Sequence, residues 1–170
     1  MWQSLLAVGV GAVVVLAAGC AHSGGGGAAQ KVAKEDVPAK VSAAVNSRFP
    51  GADVRGVEKE TEGGAVVYDF ELTQGGRKYE ADVKEDGTIL EVEKEVRGGD
   101  VPAAVGAAVR ARYPGTSVRE VMEVNKVAGG RETPDHYEVT LSTGGKGEKE
   151  VVVSLDGKTV TEEAAEEGKK

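Results

Sequence analysis

Val37-Pro38-Ala39-Lys40-Val41-Ser42-Ala43-Ala44-Val45 decides the fold, because Val101-Pro102-Ala103-Ala104-Val105-Gly106-Ala107-Ala108-Val109 repeats it about 64 residues further on. The match continues. Arg48-Phe49-Pro50-Gly51 is answered by Arg112-Tyr113-Pro114-Gly115, and Val54-Arg55 and Val57 by Val118-Arg119 and Val121. Tyr68-Asp69-Phe70-Glu71-Leu72 is answered by Tyr137-Glu138-Val139-Thr140-Leu141, and Asp86-Gly87 by Asp156-Gly157, once a longer loop is allowed around Gly129 to Pro134. Shared composition does not preserve order over such a length, so the chain holds an internal duplication, divided at Gly98-Gly99.

Each copy changes period in the same order. Val37, Val41, Ala44, Val45, Arg48 and Phe49 recur at spacings of three and four, one face of a helix, with Asp36 as a cap and Pro38 in the first turn. Pro50-Gly51 ends that helix. Alternation follows: Val66, Tyr68, Phe70 and Leu72 interleave with Val67, Asp69 and Glu71, and Tyr79, Ala81 and Val83 with Lys78, Glu80, Asp82 and Lys84. Gly75-Gly76 turns the chain between these runs, and Asp86-Gly87 is a two-residue hairpin signal before Leu90 and Val92. With a shorter strand near Asp53 to Glu60, the expected fold class is α+β: two tandem repeats, each one helix packed on a four-stranded antiparallel sheet. The helix should cover the face carrying Tyr68, Phe70, Tyr79 and Val83, so the aromatic residues are core rather than contact residues.

The 170 residues give room for one ordinary domain or two very small ones. With 21 basic against 28 acidic side chains the net charge is -7, the wrong sign for gripping a phosphate backbone, so no nucleic acid is expected as a partner. One Cys and two His cannot assemble a disulfide framework or a Cys/His zinc site, and no metal or cofactor site is assigned. A hydrolytic triad lacks a base: His22 falls in a Gly-rich stretch, and His136, after Thr133-Pro134-Asp135, reads as a solvated loop residue. No catalytic residue is assigned and no enzyme is expected.

The first twenty residues carry no charge, and their apolar run, Leu5 to Ala18, has the length of a signal-peptide core rather than of a bilayer span. Leu16-Ala17-Ala18-Gly19-Cys20 puts small residues before the only cysteine, and so resembles the lipobox of bacterial lipoproteins. That resemblance implies cleavage after Gly19 and lipidation of Cys20; a plain N-terminal anchor extending to Ala21 is the alternative. Ser23 to Gln30 is nearly all Gly, Ala and Ser and reads as a tether, since it has too little side-chain area to offset its ordering entropy. The chain thus divides into a signal peptide (1–19), a lipidated cysteine with a flexible tether (20–35), repeat 1 (36–97), repeat 2 (100–162) and a flexible tail (163–170).

Val37-Pro38-Ala39, Phe49-Pro50-Gly51, Tyr68, Tyr79 and Asp86-Gly87, with their counterparts Val101-Pro102-Ala103, Tyr113-Pro114-Gly115, Tyr137 and Asp156-Gly157, resemble the PepSY-like, β-lactamase-inhibitor-like domains of exported bacterial proteins. The resemblance implies a periplasmic or extracytoplasmic binding module for an envelope protein or peptide, held at the membrane through its N-terminal lipid. Two surfaces compete for that role. Asp69, Glu71, Glu80 and Asp82 share one outward sheet face; interleaved with Lys78 and Lys84 they read as a wet mixed-charge surface, with divalent-cation binding or sensing as the alternative. The extended loop Val127 to Asp135, the largest asymmetry between the copies, is the favoured contact surface.

Overall fold

Period-two alternation and glycine-punctuated turns are realised, among the described residues, as nine antiparallel strands in one sheet. The computed structural model describes residues 27–145 and 147–162. Strand β1 (Gly27–Lys31) leads into helix α1 (Ala39–Arg48), followed by β2 (Asp53–Glu62), β3 (Ala65–Gln74), β4 (Arg77–Lys84) and β5 (Ile89–Glu95). Helix α2 (Ala103–Arg112) is followed by β6 (Ser117–Ala128), β7 (Arg131–Ser142), β8 (Glu148–Ser154) and β9 (Val160–Glu162). Strand order in the sheet is the order of the chain, β1 to β9.

The expected pair of four-stranded sheets is therefore corrected to a single sheet, joined where β5 pairs with β6. The seam has a counterpart. Lys31 lies opposite Glu58 as Glu95 lies opposite Met122, and Gln30 opposite Lys59 as Lys94 opposite Glu123. So β1 stands before α1 where β5 stands before α2, and β5 belongs to both copies. This also corrects the tether: from Gly27 the chain is strand, because β2 offers its otherwise unpaired N–H and C=O groups to any sequence without proline, even one as featureless as Gly27-Ala28-Ala29-Gln30-Lys31.

Both helices lie on one face. Val41, Val45 and Phe49 pack with Val57, Tyr68, Phe70, Leu72, Ala81, Val83 and Val92, and Val105 and Val109 with Val121, Tyr137, Val139, Leu141, Val151 and Val153. The aromatic rings fall on the expected side, and Phe49 meets Tyr79 with centroids 5.5 Å apart. Helix α1 starts one residue after Pro38, which stands at the cap position, while Asp36 ends a short 3-10 turn and caps nothing; Pro50-Gly51, with Gly51 at φ 74°, stops it. The Asp86-Gly87 turn is not a two-residue loop. Gly87 donates its N–H to the Lys84 carbonyl (2.8 Å) and alone has positive φ (88°), a type I turn closed by a glycine bulge, repeated at Ser154 to Gly157.

The expected loop Val127 to Asp135 is instead a hairpin. Strands β6 and β7 run on to a two-residue turn at Gly129-Gly130, both with positive φ. Proline is tolerated in β7 because the register shifts there: Val124 pairs with His136 and Asn125 with Pro134, leaving Asp135 as the bulged residue. The hairpin reaches back over the first copy, where Val127 packs on the α1 core and Glu132 pairs with Arg48 at the end of α1 (2.5 Å).

Candidate functional site

Among the described residues no helix lies on the other sheet face, and its composition follows from parity alone: whatever alternates with the core must point there. Cross-strand pairing lines its residues into rows. One runs Glu58, Asp69, Asp82, Glu91, Lys126; the next Glu71, Glu80, Glu93, Val124, His136; a third Lys78, Glu95, Met122, Glu138, Val152. Asp69, Glu71, Glu80 and Asp82 thus do share one face, as expected. They form only the first half of a band that continues across the seam.

The band is drier than the expected wet surface. Val67, Met122 and Val124 are buried on it at 1%, 4% and 0% exposure, although no described helix covers them, so neighbouring side chains of the sheet itself exclude water there. The carboxylates rest on that apolar floor. Burial, then repulsion by Glu62, Glu60 and Glu80, pushes the Asp82 carboxyl up to about 7, with Lys126 pulling the other way. Burial, then the charge of Glu138, also drives Glu93 far above the usual carboxylate range, so it stays protonated at neutral pH.

Cations are threaded through the band but do not match it. Lys78 Nζ bridges Glu80 (2.7 Å) and Glu120 (3.0 Å), and Lys126 pairs with buried Glu91. His136, expected in a solvated loop, is a half-buried strand residue whose Nδ1 meets Asp135 (2.8 Å) and whose Nε2 meets Glu138 (3.1 Å). Burial would lower its pKa, but these two carboxylates win and raise it. The carboxylates of Glu91, Glu93 and Glu138 place oxygens within 4.8 Å of one another. Sequence reading missed this trio. Glu91 and Glu93 alternate with Val92 and were legible as outward, but their meeting with Glu138 depends on the β5–β6 register. Cys20, the assigned lipidation residue, lies outside the described residues.

Both ring nitrogens of His136 are engaged by carboxylates, and the hydroxyl of Ser154, its cross-strand neighbour, is engaged by Asp156 and by the Thr159 N–H. A family model described as "Putative beta-lactamase-inhibitor-like, PepSY-like" matches residues 27–77 and 66–160. The chain belongs to this PepSY-like family. Solved structures of similar fold include a BLIP-like protein from Bacteroides fragilis (21% identity, 78% of this chain and 89% of that one, TM-score 0.50). Others are a protein titled a putative periplasmic protein from Bacteroides eggerthii (17%, 74% and 88%, TM-score 0.55) and a DUF2874 family protein from Bacteroides uniformis (20%, 74% and 88%, TM-score 0.53). At these identities the likeness is one of fold. No curated protein matches the chain.

Proposed function

We propose that this PepSY-like protein is an extracytoplasmic module, tethered through a lipid on Cys20, that acts by binding and not by catalysis. Its helix-free acidic face takes a positively charged segment of another envelope protein. One observation carries this reading: carboxylates of β4 and β5 are held on a half-buried face at the expense of their ionisation, as Asp82 and Glu93 show. A carboxylate out of water either finds a cation or takes up a proton. A lysine or arginine side chain laid across the band would replace those protons and recover the charge pairing that the face lacks. The family name, inhibitor-like, and the periplasmic relative support a role by binding outside the cytoplasm.

Calorimetric titration with a Lys/Arg-rich peptide, against a Glu-rich peptide of equal length, tests the reading. Binding of the basic peptide that strengthens from pH 5.5 to 8 and is lost in Glu93→Lys is the expected result; equal response to both peptides rejects it. Cys20→Ser should abolish lipid labelling. If that variant stays membrane-bound with its N-terminus intact, the anchor is the segment Leu5 to Ala18.

A second reading has its own observation, the three converging carboxylates of Glu91, Glu93 and Glu138. A divalent cation such as calcium takes oxygen ligands of this kind. Calcium should then raise the melting temperature, more at pH 8 than at 5.5, and Glu93→Gln should remove the effect.

A further inference from the structure

The duplication supplies an internal control for the helix-bearing face, and the copies differ there at one place. Beside α1 a small cleft of ≈ 200 Å³ is lined by Lys34, Val37, Ser42, Val45, Val54 and Phe70. The matching cleft beside α2 has ≈ 400 Å³ and is floored by Val101, Val105, Val109, Val118, Val121 and Val139. Three exchanges open it. Phe70 becomes Val139, Ser42 becomes Gly106, and Lys34 becomes Gly98. In the first copy Lys34 donates from Nζ to the Val54 carbonyl and so closes the mouth of the cleft. Gly98 has no side chain to do this, and Val118, the counterpart of Val54, stands 49% exposed.

The second cleft is open by substitution, not by loose packing. Phe70 faces Ala81 across the β3–β4 pair, whereas Val139 faces Val151 across β7–β8. The two pairs have nearly equal volume, so side-chain bulk has moved away from the cleft while the core stays filled.

Charge selects the ligand. The carboxylates of Glu95 and Glu120, whose strands border the cleft, alternate with its valines towards the other face and are paired there, with Arg97 (2.5 Å) and Lys78 (3.0 Å). The guanidinium of Arg110 lies back over Gly106, 3.2 Å from where a Cβ would stand, and makes no hydrogen bond or ion pair among the described residues. Arg119 has only a long, exposed contact with Glu148 at 3.6 Å. Two guanidinium groups, Arg110 without a partner among the described residues and Arg119 with only that long contact, therefore overlook a valine floor in a chain of net charge -7. The first copy has Asn46 where Arg110 stands, and its Arg55, the match of Arg119, is turned to Asp53 (3.1 Å).

We propose that the cleft beside α2 binds a medium-chain aliphatic carboxylate, its chain on the valine floor and its headgroup held by Arg110 and Arg119. The volume lies at the small end of the roughly 300–1,000 Å³ of ligand pockets, suited to one aliphatic chain and too small for the paired chains of a membrane lipid. A peptide added as a strand would need a free strand edge for its main-chain bonds, and β6 is paired on both sides, with β5 and with β7. A guanidinium offers paired donors to a carboxylate, which fixes the head while the floor takes the tail.

The test titrates the full chain with decanoate and, as the cation of equal chain length, decyltrimethylammonium. Saturable one-to-one binding of decanoate at least about tenfold tighter than the cation is expected, with about tenfold lost in Arg110→Gln. Val139→Phe with Val151→Ala, which transplants the first copy's pair, should abolish binding and leave a cooperative melt. Equal affinity for anion and cation, an acidic peptide that binds in place of decanoate, or full decanoate binding in the folded transplant each overturns the proposal. Should the transplant not fold, Arg110→Gln decides alone: that side chain is exposed and uncommitted, so the variant keeps the fold, and undiminished affinity in it refutes the site.

Discussion

Replacing Gly157 or Gly87 by alanine should be far more costly than replacing other glycines of equally positive φ, because these two lie against a helix. A Cβ at Gly157 (φ 70°) would stand 2.7 Å from the Ala104 carbonyl oxygen and 2.8 Å from its carbon; at Gly87 (φ 88°) it would stand 2.9 Å from the Lys40 carbonyl oxygen. At Gly75 (φ 60°) it would meet nothing within 4 Å. The left-handed backbone alone costs an alanine about 1–2 kcal/mol. Relieving a backbone clash at Gly157 means moving the turn from the first turn of α2 and loosening the packing of Val105 and Val109, a further ~1–3 kcal/mol by the usual cost of overpacking. The expected losses are therefore about 1 kcal/mol for Gly75→Ala, ~2–3 for Gly87→Ala and ~3–4 for Gly157→Ala. Urea unfolding followed by far-UV circular dichroism, with unchanged m-values, measures them. Three equal losses would refute the reasoning, since the helix contact would then contribute nothing beyond the strained φ.

Stability should fall as pH rises from about 5 to 8. Asp82 and Glu93 have folded pKa values raised above the unfolded ones, so folding is unimpeded below the unfolded carboxylate range and is progressively opposed as pH rises towards the folded pKa, about 7 for Asp82. His136, also raised, contributes stability present below its unfolded pKa and lost above the folded one, in the same direction. The Asp82 part is on the order of 2–4 kcal/mol, read as a melting temperature lower at pH 8 than at 5, and Asp82→Asn should make the profile shallower while leaving the Glu93 and His136 parts. A flat parent profile would refute the desolvated band. Sharing of β5 predicts unequal fragments: residues 89–170 should melt cooperatively and residues 99–170 should not, by thermal circular dichroism, and equal stability of the two would mean that β5 belongs to the first copy alone.

Local patterns were legible wherever one residue's neighbours in the chain decide its environment. Tyr68, Phe70 and Leu72 announce an inward face by alternation, Val41 and Val45 a helix stripe, and Gly75-Gly76 a tight turn, and each stands as its pattern implies. What required another strand was hidden. Gly27 to Lys31 has no hydrophobic pattern, and only β2 makes it a strand. Pro134 marked a loop by local chemistry, and a bulge against Asn125 overrode it. For the acidic site, the face of each carboxylate was legible, while its dryness was not. Asp82 is raised first by burial, on a face whose apolar floor comes from Val67 of β3 and from Met122 and Val124 of the other copy, and then by Glu62 and Glu60 of β2 and Glu80 of its own strand.

Strand β5 connects the two surfaces to the duplication. By pairing with β4 on one side and β6 on the other it fuses the repeats into one sheet, and so sets Glu91 and Glu93 of the first copy beside Glu138 of the second. An isolated repeat would hold only one side of that trio. On the opposite face the same strand ends at Glu95, runs into Arg97, and delivers Gly98 to the mouth of the α2 cleft where the first copy has Lys34. Sharing a strand merges the acidic residues of both copies into one band, and Val139, Gly106 and Gly98, standing where the first copy has Phe70, Ser42 and Lys34, leave the second cleft the wider. Both candidate surfaces thus depend on what the two copies do not have in common, and substitutions that restore the first copy's residues in the second should erase the cleft while leaving the acidic band unchanged.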